Sequence, residues 1–184
     1  MAVQTQRMTV EEFERYVELP ENADRLFEYI GGEVVEVPSN AYASKIASRI
    51  NGFIFMYLLQ HDIGHLTGEA GGYKVAGEDY APDVAFISRQ EQPELAQQGY
   101  NPNPPDLAVE IDFPSTYQSQ KNLKIKIVNY LYAGTTVWVV YPDQRRVEVY
   151  APDQPAKIID ADGTLDGGDV LPGFTLAVKD IFPE

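Results

Sequence analysis

The chain has 184 residues, a formal net charge of −14 and no cysteine. No apolar run reaches the roughly 20 residues a bilayer-spanning helix needs, and without thiolates any bound metal must sit on oxygen or imidazole. So acidic a chain has no broad basic surface with which to displace counterions from phosphates, so binding to nucleic acid requires a metal or a local basic stripe to offset the charge.

The opening, MAVQTQRMTVEEF, lacks the basic start, apolar stretch and small-residue cleavage site of an export signal. A cytoplasmic protein with a single domain over residues 1–184 is expected. Thr9 with Glu12 three residues later, ahead of Phe13, Tyr16 and Val17, reads as a capping box opening a short helix that ends by Pro20. LFEYI and EVVEV alternate around Gly31 and Gly32, which predicts a tight antiparallel hairpin. From Ala41 to Gln60 the apolar residues Ile46, Ile50, Phe53, Ile54, Tyr57 and Leu58 recur at the helical period.

The stretch from His65 to Val75, with Gly68, Gly71 and Gly72, predicts a strand with a bend, and DVAFIS, Asp83 to Ser88, a compact strand. Residues 90–105 turn to Gln, Pro, Gly and Asn and read as a surface loop. DLAVEID, Asp106 to Asp112, is a further strand that Pro114 breaks. A second long helix follows from about Tyr117 to Ala133, with Leu123, Ile127, Tyr130 and Leu131 on one face and Gly134 closing it. TVWVVYP and RRVEVY, joined by Asp143 and Gln144, form a strand pair, and short strands with a last turn near Val178 to Phe182 finish the chain. This order describes an α/β fold of the α+β kind, a mixed sheet flanked by helices, and disfavours a doubly wound nucleotide-binding fold.

In DLAVEID, alternation puts Leu107, Val109 and Ile111 on one face and Asp106, Ala108, Glu110 and Asp112 on the other. Such a row of acids survives only if it is solvated or neutralised by a cation. Read alone it is an exposed strand face, just as Pro82-Asp83 read alone is a turn. Read in order, a Pro-Asp opening one strand, a Glu in the next and a lysine-bearing helix after it resemble the PD-(D/E)xK nuclease site. Its two carboxylates hold Mg²⁺ or Mn²⁺, and its lysine orients the attacking water and stabilises developing charge. Asp112 stands where that lysine is usual, so the lysine must come from the helix. Lys124 and Lys126 flank opposite edges of its apolar stripe, and helical geometry leaves both open.

The segments RLFEYIGGEVVEV, YAPDVAFIS, PDLAVEIDFPST and KIVNYLYAGTTVWVVYPDQRRVEVY resemble, over nearly the whole chain, the Uma-type family of restriction-endonuclease-like proteins. The resemblance implies a restriction-endonuclease-like fold and a Mg²⁺- or Mn²⁺-dependent endonuclease acting on DNA. In that family a lysine precedes a tyrosine by four and a glycine by eight, which here falls on Lys126, Tyr130 and Gly134 and selects Lys126. The same matching places the metal ligands at Asp83 and Glu110 and puts Glu28 beside them as a helper, with a homodimer as the expected assembly. Two features depart from the family: SNAYASK stands where a histidine is common after the hairpin, and Asp112 where an uncharged residue is usual.

The rival reading is a non-catalytic homo-oligomeric binding or regulatory module that keeps the fold, for which the net charge is the best argument. Paired carboxylates of a glycosidase fit poorly, because Glu110 and Asp112 share one strand face and do not flank a cleft. His61 and His65 are four apart, but Gly64 between them ends the helix before both can share its face. Ser115 lacks the context of a hydrolase nucleophile, and the glycines of GEAGGYKV mark a bend, not a phosphate cradle.

Overall fold

A computed structural model describes residues 7–37, 40–113 and 116–182, so the expected strand break at Pro114 and Ser115 lie outside the described residues. Helix α1 (Val10–Val17) opens with the expected capping box: the Thr9 hydroxyl accepts the Glu12 amide and the Glu12 carboxylate accepts the Thr9 amide at 2.8 Å. Strands β1 (Phe27–Ile30) and β2 (Glu33–Glu36) form the hairpin, with Gly31 and Gly32 at φ of 60° and 82°, a region open to glycine. Helix α2 (Ala41–Leu58) starts on Asn40, whose side chain accepts the Tyr42 and Ala43 amides.

Next come β3 (Gly64–Gly68), β4 (Tyr73–Val75), β5 (Glu78–Tyr80), β6 (Val84–Ser88) and β7 (Leu107–Ile111). Helix α3 (Tyr117–Tyr132), β8 (Thr136–Tyr141), β9 (Arg146–Tyr150), β10 (Lys157–Ile159), β11 (Thr164–Asp166) and β12 (Thr175–Ala177) follow. Gly134 ends α3 at a φ of 88°: its amide bonds to the Leu131 carbonyl and the Thr135 amide to that of Tyr130, a Schellman closure.

A six-stranded sheet runs β10-β9-β8-β7-β6-β3 and a four-stranded one β2-β1-β5-β4. Within the first, β7 and β8 are the parallel pair, in register from Leu107 opposite Thr136 to Ile111 opposite Val140, and α3 is their crossover. The single bent strand expected from His65 to Val75 is instead two strands in two sheets. The chain leaves the large sheet at Gly68 and enters the small one at Tyr73. A side chain on Gly71 would stand 2.9 Å from Thr67 and one on Gly72 2.4 Å from the Tyr100 ring, so the crossing requires both glycines. Strand β5 was not anticipated, since three residues between the Ala76-Gly77 turn and Pro82 are too short to show alternation.

Both faces of the large sheet are covered. On one, α2 packs Ile46, Ile50 and Ile54 with Val84, Phe86, Leu107, Val109 and Trp138. On the other, Ala85, Ala108, Val137 and Val139 lie with Ile127 and Tyr130 of α3 and with Tyr73, Val75 and Tyr80 of the small sheet. The Ala108–Glu110 face of β7 is therefore interior, not the exposed face that the strand taken alone suggests. Among the described residues no helix is long and apolar enough to cross a membrane.

Asp79 of β5 is 1% exposed, and neither carboxylate oxygen has a hydrogen-bond partner among the described residues. Burial pushes its pKa up to about 6 from 3.8, so the folded chain holds the proton more tightly than the unfolded one. Stability therefore falls as pH rises from about 4 through about 6 and stays reduced above. Replacing Asp79 with Asn should stabilise the protein by about 1–3 kcal/mol at pH 8 and by little at pH 4, read from melting temperatures at the two pH values; an equal gain at both would rule out ionisation as the cause.

Candidate active site

Four side chains from four segments meet between the two sheets. Asp83 follows Pro82 and immediately precedes β6, one residue before the strand begins, and its Oδ2 accepts the Ile111 amide at 2.7 Å. That bond fixes Asp83 to the end of β7, beside Glu110. Glu28 stands in the middle of β1, and its Oε1 accepts the Ala81 amide at 2.8 Å. Lys126, on the inner face of α3, donates from Nζ to Glu28 Oε1 at 2.7 Å and to Glu110 Oε2 at 2.6 Å. Glu28, Glu110 and Lys126 are all buried. Lys124 lies on the exposed side of the same helix, so it is Lys126 that joins the carboxylates.

Two tyrosines complete the constellation. The Tyr130 hydroxyl, one helical turn after Lys126, donates to Glu110 Oε1 at 3.0 Å, so both Glu110 oxygens are held. The Tyr80 ring lies 5.5 Å from Lys126 Nζ and packs edge-on against Tyr130 at 5.3 Å. Asn129 in turn donates to the Tyr80 hydroxyl at 2.6 Å and to Glu78 Oε2 at 3.1 Å. The sequence placed Tyr130 on the apolar face of this helix and gave it no role at the site. The spacing of four from Lys126 was the available signal, since two residues one turn apart on a helix face the same neighbour.

The electrostatics are unbalanced toward negative charge. Burial pushes the Asp83 carboxyl up to about 6, with the Ile111 amide and Lys126 pulling the other way. The Glu110 carboxyl is raised by burial and by Glu28 and Asp83, against the pull of Lys126. Burial disfavours the Lys126 ammonium, but Glu110 and Glu28 outweigh it, so its pKa is raised and it stays charged. Three carboxylates thus surround one ammonium at the head of a cleft of about 470 Å³, whose wall also carries Asp112 and Phe113. Asp112 is half-buried, and burial raises its pKa as well.

The other acids and the histidines lie elsewhere. Asp106 is absent from the cleft wall; its carboxylate accepts the Ser88 amide at 2.5 Å and ties β7 to β6. His61 stacks on Tyr57 at 4.2 Å, whereas the His65 Nε2 lies beside the Gln92 and Pro93 carbonyls, so the two do not form a site. Among the described residues no three or more His, Asp or Glu side chains are placed as ready ligands for a metal ion. Where Glu28 and Glu110 face one another, Lys126 stands between them.

A family model described as "Uma2: Putative restriction endonuclease" matches residues 10–179. A crystal structure of a putative nuclease belonging to DUF820 from Anabaena variabilis ATCC 29413 superposes with a TM-score of 0.78 at 25% sequence identity, covering 95% of this chain and 97% of that one. None of the curated proteins matches the chain. The fold is that of the restriction-endonuclease-like proteins, and the chain belongs to the Uma2 family of putative restriction endonucleases.

Proposed function

We propose that this chain is a divalent-metal-dependent endonuclease that hydrolyses DNA phosphodiester bonds in the cleft headed by Asp83, Glu110, Lys126 and Glu28. The observation that carries the reading is the meeting of an ammonium with three carboxylates between two sheets, a costly arrangement that packing alone does not call for. The nuclease family and the nuclease neighbour support DNA as the substrate. A cytoplasmic location suits a chain without cysteine.

The donor set fits Mg²⁺ or Mn²⁺. All the available ligands are hard oxygens, and the carboxyls at Asp83 and Glu110 have their proton affinity raised by burial and by neighbouring carboxylates, which a cation would relieve. Asp83 and Glu110 would hold the ion, with Glu28 assisting directly or through water. When bound, the ion supplies positive charge that acidifies a water and polarises the phosphate. Lys126, kept protonated, positions the nucleophilic water and meets the charge that develops on the phosphate oxygens. Tyr130 holds Glu110 in place, the Ile111 amide does the same for Asp83, and Asp112 adds negative charge at the wall.

A second reading is favoured by one feature: Lys126 already neutralises the space between Glu28 and Glu110, as it would in a non-catalytic homo-oligomeric module. The two part on metal. Under the nuclease reading, Mg²⁺ or Mn²⁺ raises the melting temperature, and Asp83→Asn, which keeps an acceptor for the Ile111 amide, removes that gain; a wild-type melt indifferent to both ions sinks the metal site. In a plasmid-cleavage assay, Asp83→Asn and Lys126→Met should each lower the rate by about 100-fold or more, as loss of a group that stabilises the transition state does. Cleavage that survives in purified Asp83→Asn protein would place the chemistry elsewhere.

We also propose that the active form is a homodimer joined through the C-terminal half of α2. Phe55, Met56 and Leu59 are exposed there, beside Gly52. A glycine in mid-helix costs about 1 kcal/mol relative to alanine. A Cβ on Gly52 would meet nothing within 4 Å, so the isolated chain gains nothing from its absence, while a second helix packed against it would. Light scattering should return a dimer for the wild type and a monomer for the Phe55→Glu/Met56→Glu double variant; a monomeric wild type removes the proposal.

A further inference from the structure

All 28 acidic residues lie outside α2 and α3, although those helices carry Lys45, Arg49, Lys121, Lys124 and Lys126. The two helices flank the cleft. Asn40 and Ala43 from the start of α2, and Ser119 and Asn122 from the start of α3, line it. Its acid-free approaches are also where aromatic rings are exposed. Tyr42 is 45% exposed, its ring 6.2 Å from that of Phe113 on the cleft wall, and Tyr117 is 83% exposed in the first turn of α3.

Along α3, Tyr117, Lys121 and Lys124 fall within roughly 60° of arc and line a second concavity of about 420 Å³ on the outer side of the helix. The first turns of α3 are thus the shared wall of the cleft and this groove. Lys45, Lys121 and Lys124 are exposed, and none has an ion-pair partner among the described residues. Unpaired lysines on an acid-free helix beside exposed tyrosines suit a partner that is both polyanionic and rich in flat rings.

We propose that these faces of α2 and α3 bind a single strand of nucleic acid and lead it into the cleft, with Lys45, Lys121 and Lys124 on phosphates and Tyr42 and Tyr117 stacked on bases. The inference rests on the cleft being a phosphodiester-cleaving site and adds the form of its substrate. A tyrosine ring reaches the face of a base only where that base is unstacked, which a closed duplex does not allow. A second strand would, in addition, bring its phosphates against the strongly acidic remainder of the chain.

Fluorescence anisotropy of a labelled 20-nucleotide DNA, in EDTA so that binding is read without cleavage, tests this. The single strand should bind more tightly than the duplex of the same sequence. Lys121→Ala/Lys124→Ala should lower the slope of log affinity against log salt by about 1.4, the share of two phosphate contacts. Tyr117→Ala should weaken binding by at least about 5-fold, while Lys157→Ala/Lys179→Ala, on exposed sites elsewhere, should leave it unchanged. The proposal is overturned by no binding, by a duplex bound as tightly, or by unchanged affinity and slope in the α3 variants. A change of mass by light scattering in those variants with unaltered affinity would make this face a contact between copies, and also overturns it. Failure of the nuclease reading looks different: strand binding intact, with no metal-dependent cleavage.

Discussion

The contact on which the rest of the structure turns is the buried bridge from Lys126 to Glu28 and Glu110. It joins the three parts that build the cleft: β1 of the small sheet, β7 of the large sheet and the helix that crosses between β7 and β8. Taking these charges out of water costs several kcal/mol per ion, and the attraction between them does little more than return that cost. An apolar trio of similar volume would join the same elements as well or better. Packing alone therefore does not account for the charged version, and the surrounding hydrogen bonds show how it is tolerated: Ala81 supplies an amide to Glu28, Ile111 one to Asp83, and Tyr130 a hydroxyl to Glu110.

The same bridge explains why α3 ends as it does. Tyr130 faces Glu110 one turn after Lys126, and α3 ends two residues further on, at Tyr132, before the chain turns back into β8. Gly134, at a φ that disfavours a side chain, makes that turn while its amide and that of Thr135 satisfy the last carbonyls. The spacing of Lys126, Tyr130 and Gly134 is thus one geometric unit of charge, orienting hydroxyl and helix stop.

Much of this was legible in the sequence because its signals are local. The capping box at Thr9, the Gly31-Gly32 hairpin and the periods of α2 and α3 each depend on residues close in the chain. The same is true of the placement of Glu110 opposite Leu107, Val109 and Ile111 across β7. What the sequence hid is non-local. Nothing in DLAVEID says that its acidic face is roofed by α3, since alternation reports two faces and not what covers them. The passage from one sheet to the other at Gly71 and Gly72 depends on Tyr100, some thirty residues on, and the lone burial of Asp79 on the packing of a three-residue strand. Lys126 could be separated from Lys124 only through family spacing, because which edge of a helix stripe turns inward is decided by the sheet beneath it.

Asp112 stands where the PD-(D/E)xK pattern has its lysine, and the proposed lysine comes from α3 instead. A side chain two residues beyond Glu110 stands on the cleft wall, half-buried, at the end of β7. A lysine there would approach the carboxylates from their own strand. From α3, Lys126 comes from above and reaches Glu110 and the Glu28 of the other sheet together, so one ammonium serves both as the proposed charge at the reacting centre and as the link between the sheets. That double duty has a consequence for the acidity of the whole chain. The strand position carries an acid, while α2 and α3, the helices that flank the cleft, carry Lys45, Arg49, Lys121, Lys124 and Lys126 and no acid. A protein of net charge −14 can then keep a strongly acidic exterior while presenting Lys45, Lys121 and Lys124 where the proposed anionic strand would enter.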